Sequence, residues 1–276
     1  MTDRFRAAMA SGPLLLDAAM GTRLVARGLH LETDDPALWT LTAPEVVAEF
    51  HRRDVRAGAT VLLTNTFGAN HAWLRRFGRA DALEPINRQA VALARHEAGP
   101  SRYVIGSIGP TAVDDPRSLL DQAGLLVESG VDGLIFETHR LDQAEQALEL
   151  VMPLGNIPRL VSLYQWPEPI APAVRRLVGR GASAIGLNCV IGMEPALQVA
   201  DSLRAVTQLP LIVKPSASRP GVVPASPKSF AAAATAPRIR GLAPILVGGC
   251  CGTDESYLAA LSDAWYHQTG SCPPAR

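Results

Sequence analysis

The sequence predicts a parallel β/α architecture closed into a single (β/α)8 barrel, the TIM-barrel arrangement. Three observations carry this. Eight short apolar runs alternate with helix-patterned segments along the chain, the pattern of parallel strands joined by crossover helices. Eight such units within 276 residues match the size of a closed barrel. The polar residues Asp17, Thr64, Asn65, Thr66, Ser107, Glu137, Asn188, Cys189, Cys250 and Cys251 all fall at C-terminal strand ends. A closed barrel gathers those ends on one face, where its active sites are built. An open, doubly wound sheet also fits the alternation but would spread them too far apart to cooperate. The span 1–276 is read as one domain.

Leu14-Leu15-Leu16-Asp17 reads as a buried first strand ending on a carboxylate, followed by a small-residue turn over 18–22 and a polar loop through Trp39. Pro44 opens a helix with apolar Val46, Val47, Phe50 and Val55 before Gly58 stops it. The second strand covers 60–67. A short helix follows over 69–77 and a longer one over 81–97. The third strand, 103–110, closes on Gly109-Pro110 punctuation. Helix 116–129, strand 131–138 ending on Glu137 and Thr138, and helix 141–152 come next. Strand 159–164, helix 171–179, strand 184–189, helix 194–206 and strand 211–215 continue the alternation. Residues 216–227 are rich in Pro, Ser and Gly without a period, and 228–236 reads as a short, poor helix. Strand 245–249 and helix 254–265, capped by Thr253 or Asp254, complete the eighth unit. The tail 268–276 is expected to fray, and Cys272 within it to be an unligated thiol.

Composition narrows the class. The chain is 47% hydrophobic with zero formal net charge, and it has no long Lys/Arg run. That argues against a nucleic-acid or anionic-membrane surface. No apolar stretch approaches the ~20 residues a bilayer span needs, and residues 1–12 lack a signal-peptide core. Four cysteines in a chain this long do not make a disulfide framework. A reduced, cytoplasmic protein is expected.

The chemistry concentrates in Val247-Gly248-Gly249-Cys250-Cys251-Gly252-Thr253. Neighbouring side chains on a strand point to opposite faces, so Cys250 and Cys251 cannot share one ion on extended backbone. The glycine frame is expected to bend the chain and bring both sulfurs to one side. Cys189, at the end of another apolar run, supplies a third sulfur. Three thiolates and one open position describe a reactive soft-metal site, and zinc is the ion this donor set favours. Buried inert cysteines or a vicinal disulfide are the competing reading. Two adjacent cysteines alone would favour it; the third strand-end cysteine does not.

These residues resemble a family. Asp17-Ala18-Ala19-Met20-Gly21-Thr22, the run from Thr64 to Asn70, Gly106-Ser107-Ile108-Gly109-Pro110-Thr111, Phe136-Glu137-Thr138, Gly186-Leu187-Asn188-Cys189 and the Cys250-Cys251 loop look like the motif series of the zinc-dependent homocysteine S-methyltransferases. The resemblance runs from about Leu14 to Leu261. It implies Zn²⁺ held by Cys189, Cys250 and Cys251, with the homocysteine thiol as fourth ligand. It also implies that Asp17 and Glu137 hold the substrate amino acid, Glu137 through the ammonium. Thr64, Asn65 and Ser107 are carried as substrate contacts or, equally, as loop hydrogen-bonders, and Asn188 as a contact or as the residue orienting the Cys189 loop. The implied reaction moves a methyl group from a small donor to homocysteine, giving methionine. Independently, a free thiol titrates near ~8.5, and a thiolate-rich metal site keeps a bound sulfur electron-rich for attack on a methyl carried by a cationic sulfur or nitrogen.

The sequence also departs from the family's pattern. Ala18 stands where glycine is usual, and Lys214-Pro215-Ser216-Ala217-Ser218 replaces the usual Pro-Asn-Ala-Gly stretch. Gly68 follows Phe67 where a betaine user would carry tyrosine, and Tyr164 and Trp166 are as readily rim-packing residues as an aromatic donor cage. A sulfonium donor, S-methylmethionine or S-adenosylmethionine, is therefore favoured over betaine. His139 is expected to face solvent or cap a helix rather than shuttle a proton. No corrinoid or folate module is read in these residues, so a separate corrinoid protein is one alternative partner. Another thiol or selenol as acceptor, a non-catalytic zinc-stabilised barrel and a homo-oligomer are also compatible with the sequence.

Overall fold

The computed structural model describes residues 2–111, 116–218, 221 and 223–266. The expected tail, with Cys272, lies outside the described residues, as do Arg219 and Pro220. Eight strands are present: β1 (Leu14–Leu15), β2 (Val61–Leu63), β3 (Tyr103–Ile108), β4 (Gly133–His139), β5 (Arg159–Leu163), β6 (Ala184–Ile191), β7 (Leu211–Ser216) and β8 (Ile245–Val247). The helices are α1 (Thr2–Ser11), α2 (Met20–Ala26), α3 (Trp39–Thr42), α4 (Pro44–Arg56), α5 (His71–Arg76), α6 (Leu83–Ala98), α7 (Pro116–Glu128), α8 (Leu141–Leu150), α9 (Ile170–Gly179), α10 (Met193–Arg204), α11 (Pro227–Ala231), α12 (Ala236–Gly241) and α13 (Glu255–Tyr266).

All strand pairs are parallel, in the order β1-β8-β7-β6-β5-β4-β3-β2. A parallel bridge from Leu16 to Val61 joins the two ends. At the same seam the Asp17 carboxylate accepts the backbone N–H of Leu63 at 2.7 Å, replacing a ladder bond where the short β1 stops. The ring is a (β/α)8 TIM barrel, and the open sheet is excluded.

Strand periodicity sorts the side chains. Ile105, Ile135, Leu160, Ala184, Ile212 and Leu246 pack inside with Leu16, Val61 and Leu63. Phe136, Val161, Ile185, Val213 and Val247 face outward into the main core under the helices. Two residues beyond the inner apolar layer, the inward positions turn polar: Ser107, Glu137, Ser162 and Lys214, all buried. Asn188 stands in the same layer, two residues beyond Gly186 on β6. The barrel therefore has an apolar floor and a polar upper layer.

Three elements differ from the sequence expectation. The N-terminal segment is a helix, α1, whose Phe5 and Met9 plug the floor against the inner residues. Its weak amphipathic pattern hid this, because only two residues reach inward. The loop read as polar through Trp39 contains α2, a 3₁₀ turn over Pro36–Leu38 and α3. The stretch read as one poor helix over 228–236 is helical only in its first half, α11, and a second short helix, α12, begins where that reading ended; each has proline in its first turn.

Helix α2 is fastened to α4 by a buried bidentate pair, Arg23 to Asp54 at 2.9 and 2.7 Å. His51 on α4 is fully buried, with neither ring nitrogen hydrogen-bonded among the described residues. Burial, reinforced by the Arg23 charge, pushes its pKa down to about 3. The folded chain thus keeps His51 neutral where the unfolded chain, near ~6.5, takes up a proton. The stability it contributes is present above that pH and is lost as pH falls, by up to about 1.4 kcal/mol per unit. Between pH 7 and 5, His51→Leu should lose about 2 kcal/mol less than wild type in urea unfolding. Equal losses would remove His51 as a source of acid sensitivity.

Candidate active site

The Cys250-Cys251 turn is held almost wholly by backbone. Gly248 N–H donates to Val213 O at 3.0 Å, Gly249 N–H to Asp17 O at 3.2 Å and Cys250 N–H to Pro215 O at 2.8 Å. Ala217 N–H donates back to Cys251 O at 2.9 Å, and Thr253 Oγ1 to Cys250 O at 2.7 Å. The glycines act differently from the expectation. Gly249 permits close approach, since a Cβ there would lie 2.2 Å from Thr253 Oγ1. Only Gly252, at φ 79°, uses the left-handed region to turn the chain.

Cys189 reaches the same point from β6 with a left-handed backbone of its own, φ 62°. Thr138, at the end of β4, has the same φ of 62°. Non-glycine residues enter that region at a cost of about 1–2 kcal/mol, and both lie where the sheet register shifts. Asn188 ties the two together. Its Nδ2 donates to Thr138 Oγ1 at 2.7 Å and to Cys189 Sγ at 3.3 Å, while its Oδ1 accepts from Thr138 N–H at 3.0 Å and Ser162 Oγ at 2.9 Å. Asn188 thus stands between the ends of β4 and β6, against the Cys189 sulfur.

The sulfurs of Cys189, Cys250 and Cys251 all lie within 4.8 Å of one another, and Cys189 and Cys250 are 3.0 Å apart. Tetrahedral coordination at ~2.3 Å sets sulfurs ~3.8 Å apart, so the cluster fits one ion with small adjustments and supplies three of its four ligands. Hydrogen bonds from Cys189 and Cys250, with Ser216 adding another, hold Cys251 far below the usual thiol range. Cys189 is pushed up, because its hydrogen bonds to Cys250 and Cys251 favour its protonated form.

Below the sulfurs lies a charged group from three strands. Glu137 Oε1 receives Lys214 Nζ at 2.5 Å, and Glu137 Oε2 receives Ser107 Oγ at 2.8 Å. Burial pushes the Asp17 carboxyl up to about 7, against the pull of Lys214. Burial alone would lower Lys214, but Glu137, Asp17 and Cys250 more than offset it and hold it above the usual lysine range.

The other expected residues are turned toward the protein. Thr64 Oγ1 accepts from Ser107 N–H at 3.1 Å and pairs with Thr66 Oγ1 at 2.6 Å. Asn65 Nδ2 donates to Pro36 O at 2.7 Å and Thr40 Oγ1 at 3.2 Å, anchoring the segment before α4. His139 does not face solvent as expected. It is buried, its Nδ1 is bonded to Glu137 O at 2.9 Å, and burial lowers its pKa to about 4. Trp166 is also buried, its Nε1 donating to Gly186 O at 3.0 Å, whereas Tyr164 is exposed. Lys214 and Ser162 were missed by sequence reasoning. A signal for Lys214 existed: it is one of two lysines in an arginine-rich chain, and it stands two residues beyond an inward-facing strand position.

The family model for homocysteine S-methyltransferase matches residues 14–265. The chain belongs to the homocysteine S-methyltransferase family. Among solved structures it is similar to the homocysteine methyltransferase MmuM from Escherichia coli in its metallated form. Identity is 26% with a TM-score of 0.75, covering 93% of this chain and 98% of that one. It is 28% identical to the methionine synthases of Mycobacterium tuberculosis and Mycobacterium leprae over 290 residues, 90% of this chain. It spans only about a quarter of their length, 24%. A methyltransferase from Methanosarcina mazei, 14% identical with a TM-score of 0.64, shares the fold. Among the described residues no helix is long and apolar enough to cross a membrane.

Proposed function

We propose that this member of the family transfers a methyl group from a small sulfonium donor to the thiolate of homocysteine, giving methionine. The observation that carries the reading is the convergence of Cys189, Cys250 and Cys251 at the C-terminal mouth of the barrel, three ligands for an ion that takes four. These three residues would hold zinc, the ion that suits an all-thiolate set. When bound, it supplies the positive charge that lowers the pKa of an incoming thiol. Asn188 fixes the Cys189 sulfur, and the backbone net around Gly249 fixes Cys250 and Cys251. Asp17, Glu137, Ser107 and Lys214 supply the polar floor for the rest of the acceptor. In the reaction a sulfur lone pair forms the new C–S bond to the methyl. The old C–S⁺ bond breaks, and its electrons neutralise the donor sulfonium.

A sulfonium donor is supported over a quaternary ammonium by the rim. Trp166 offers no free face, and the space above Gly68 is taken by Asp35, whose Oδ2 lies 2.4 Å from where a Cβ would stand. The test is methionine production followed by mass spectrometry with isotopically labelled S-methylmethionine, S-adenosylmethionine and betaine, each with and without a chelator. Label from a sulfonium donor, lost on chelation, is expected. No label from any donor with zinc-loaded, folded protein would overturn the reading.

A further inference from the structure

His139 is a buried imidazole at the last position of β4. Its ring stands edge-on to Phe136, the centroids 5.8 Å apart and the planes at 78°. It lines a pocket between α7 and α8 with Leu119, Gln143 and Ala147. Nδ1 lies 2.9 Å from Glu137 O. A carbonyl oxygen only accepts, so Nδ1 carries the proton. Burial keeps the ring neutral, which leaves Nε2 as a bare acceptor. No protein group pairs with Nε2 among the described residues. The protein therefore holds the ring by Nδ1 alone. A side chain present only to fill the space beside Phe136, Leu119 and Ala147 would be apolar, since burying a polar ring has a desolvation cost. What the imidazole adds is one bond to a strand-end carbonyl.

That carbonyl begins the irregular end of β4. The register shifts between Glu137 and His139, and Thr138 between them has φ 62°. A residue other than glycine stays in that region only where its surroundings hold it. Asn188 holds the turn from the barrel interior. Its Oδ1 accepts from Thr138 N–H at 3.0 Å, and its Nδ2 donates to Thr138 Oγ1 at 2.7 Å and to Cys189 Sγ at 3.3 Å. His139 holds the same turn from the outer side, among the helices. We infer that His139 is a positioning residue for the metal centre. Its Nδ1–H fixes the Glu137 carbonyl and the left-handed turn at Thr138, and through that turn it sets where Asn188 places the Cys189 sulfur. Each link is a hydrogen bond no longer than 3.3 Å.

This rests on the reading of the cysteines as the metal site, and the test separates the two. Wild type, His139→Asn, His139→Gln and His139→Leu are titrated with Co²⁺, without any substrate, in competition with a coloured chelator. Asparagine puts an amide N–H near the place of Nδ1, glutamine puts it one bond farther out, and leucine supplies none. The thiolate charge-transfer and ligand-field bands report the geometry of the sulfurs, and thermal unfolding of the metal-free protein reports packing. His139→Asn should bind Co²⁺ within about twofold of wild type and with the same bands. His139→Gln and His139→Leu should bind about tenfold more weakly with shifted bands, the scale on which ligand-orienting groups act. If the leucine variant does not fold, the comparison of His139→Asn with His139→Gln decides. Affinity and bands unchanged in every variant that folds, or His139→Asn no better than His139→Gln, would overturn the inference. If wild type itself shows no thiolate bands with Co²⁺, the metal reading fails first and the inference falls with it.

Discussion

Cys251→Ala is expected to lower kcat/KM for methyl transfer at least about a hundredfold while leaving the barrel folded. Two effects combine. An unbound thiol with a pKa near ~8.5 is only a few per cent ionised at pH 7, which alone removes about thirtyfold of the nucleophile. Loss of a ligand also weakens metal retention, and even a group that merely orients a ligand is commonly worth ~10–100-fold. Stability should hardly change, because Cys251 is exposed and its loop is held by backbone bonds from Gly249, Cys250 and Ala217. The check is metal content per chain beside initial rates, with circular dichroism as the folding control. A variant keeping more than a tenth of wild-type activity would show that Cys251 is not a required ligand.

Phe5→Ala should cost about 3–5 kcal/mol, the range for emptying an aromatic site in a core that cannot collapse around it. Phe5 is fully buried beneath the barrel, its ring 5.0 Å from that of Tyr103, and it packs with Ile105, Ile135 and Leu160. The ring of strands is rigidly paired on every side, so little can move inward to fill the hole. Domains are stable by only about 5–15 kcal/mol, so the loss should show clearly in urea unfolding. A change below about 1 kcal/mol would mean that α1 is not the floor of the barrel. Methyl-transfer kinetics at low temperature should survive, since the site lies at the opposite mouth.

Much of the candidate site was legible because strand ends carry their own signature. Asp17, Ser107, Glu137, Asn188 and Cys189 each follow an apolar run, and the barrel places all of them at one mouth. Asn188, read as a substrate contact or as the residue orienting the Cys189 loop, donates to the Cys189 sulfur at 3.3 Å. The places of His139 and Asn65 were less legible, for identifiable reasons. His139 extends β4 and is buried, because the strand runs one residue beyond the Thr138 irregularity. Asn65 binds Pro36 and Thr40, a segment in which the sequence showed no periodic structure.

Local pattern by itself determined the number of strands, the face on which the polar residues gather and the identity of the three sulfurs. Strand periodicity and strand-end chemistry are properties of short stretches, readable without knowing what lies opposite. Tertiary structure alone decided which groups meet. Lys214 and Glu137 stand 77 residues apart in the chain and touch only because β4 and β7 face each other across a closed ring. The left-handed turns at Thr138 and Cys189 are bridged by Asn188 across two strands, which no sequence window contains. The docking of α1 likewise depends on a floor that exists only after β1 and β2 have closed the barrel.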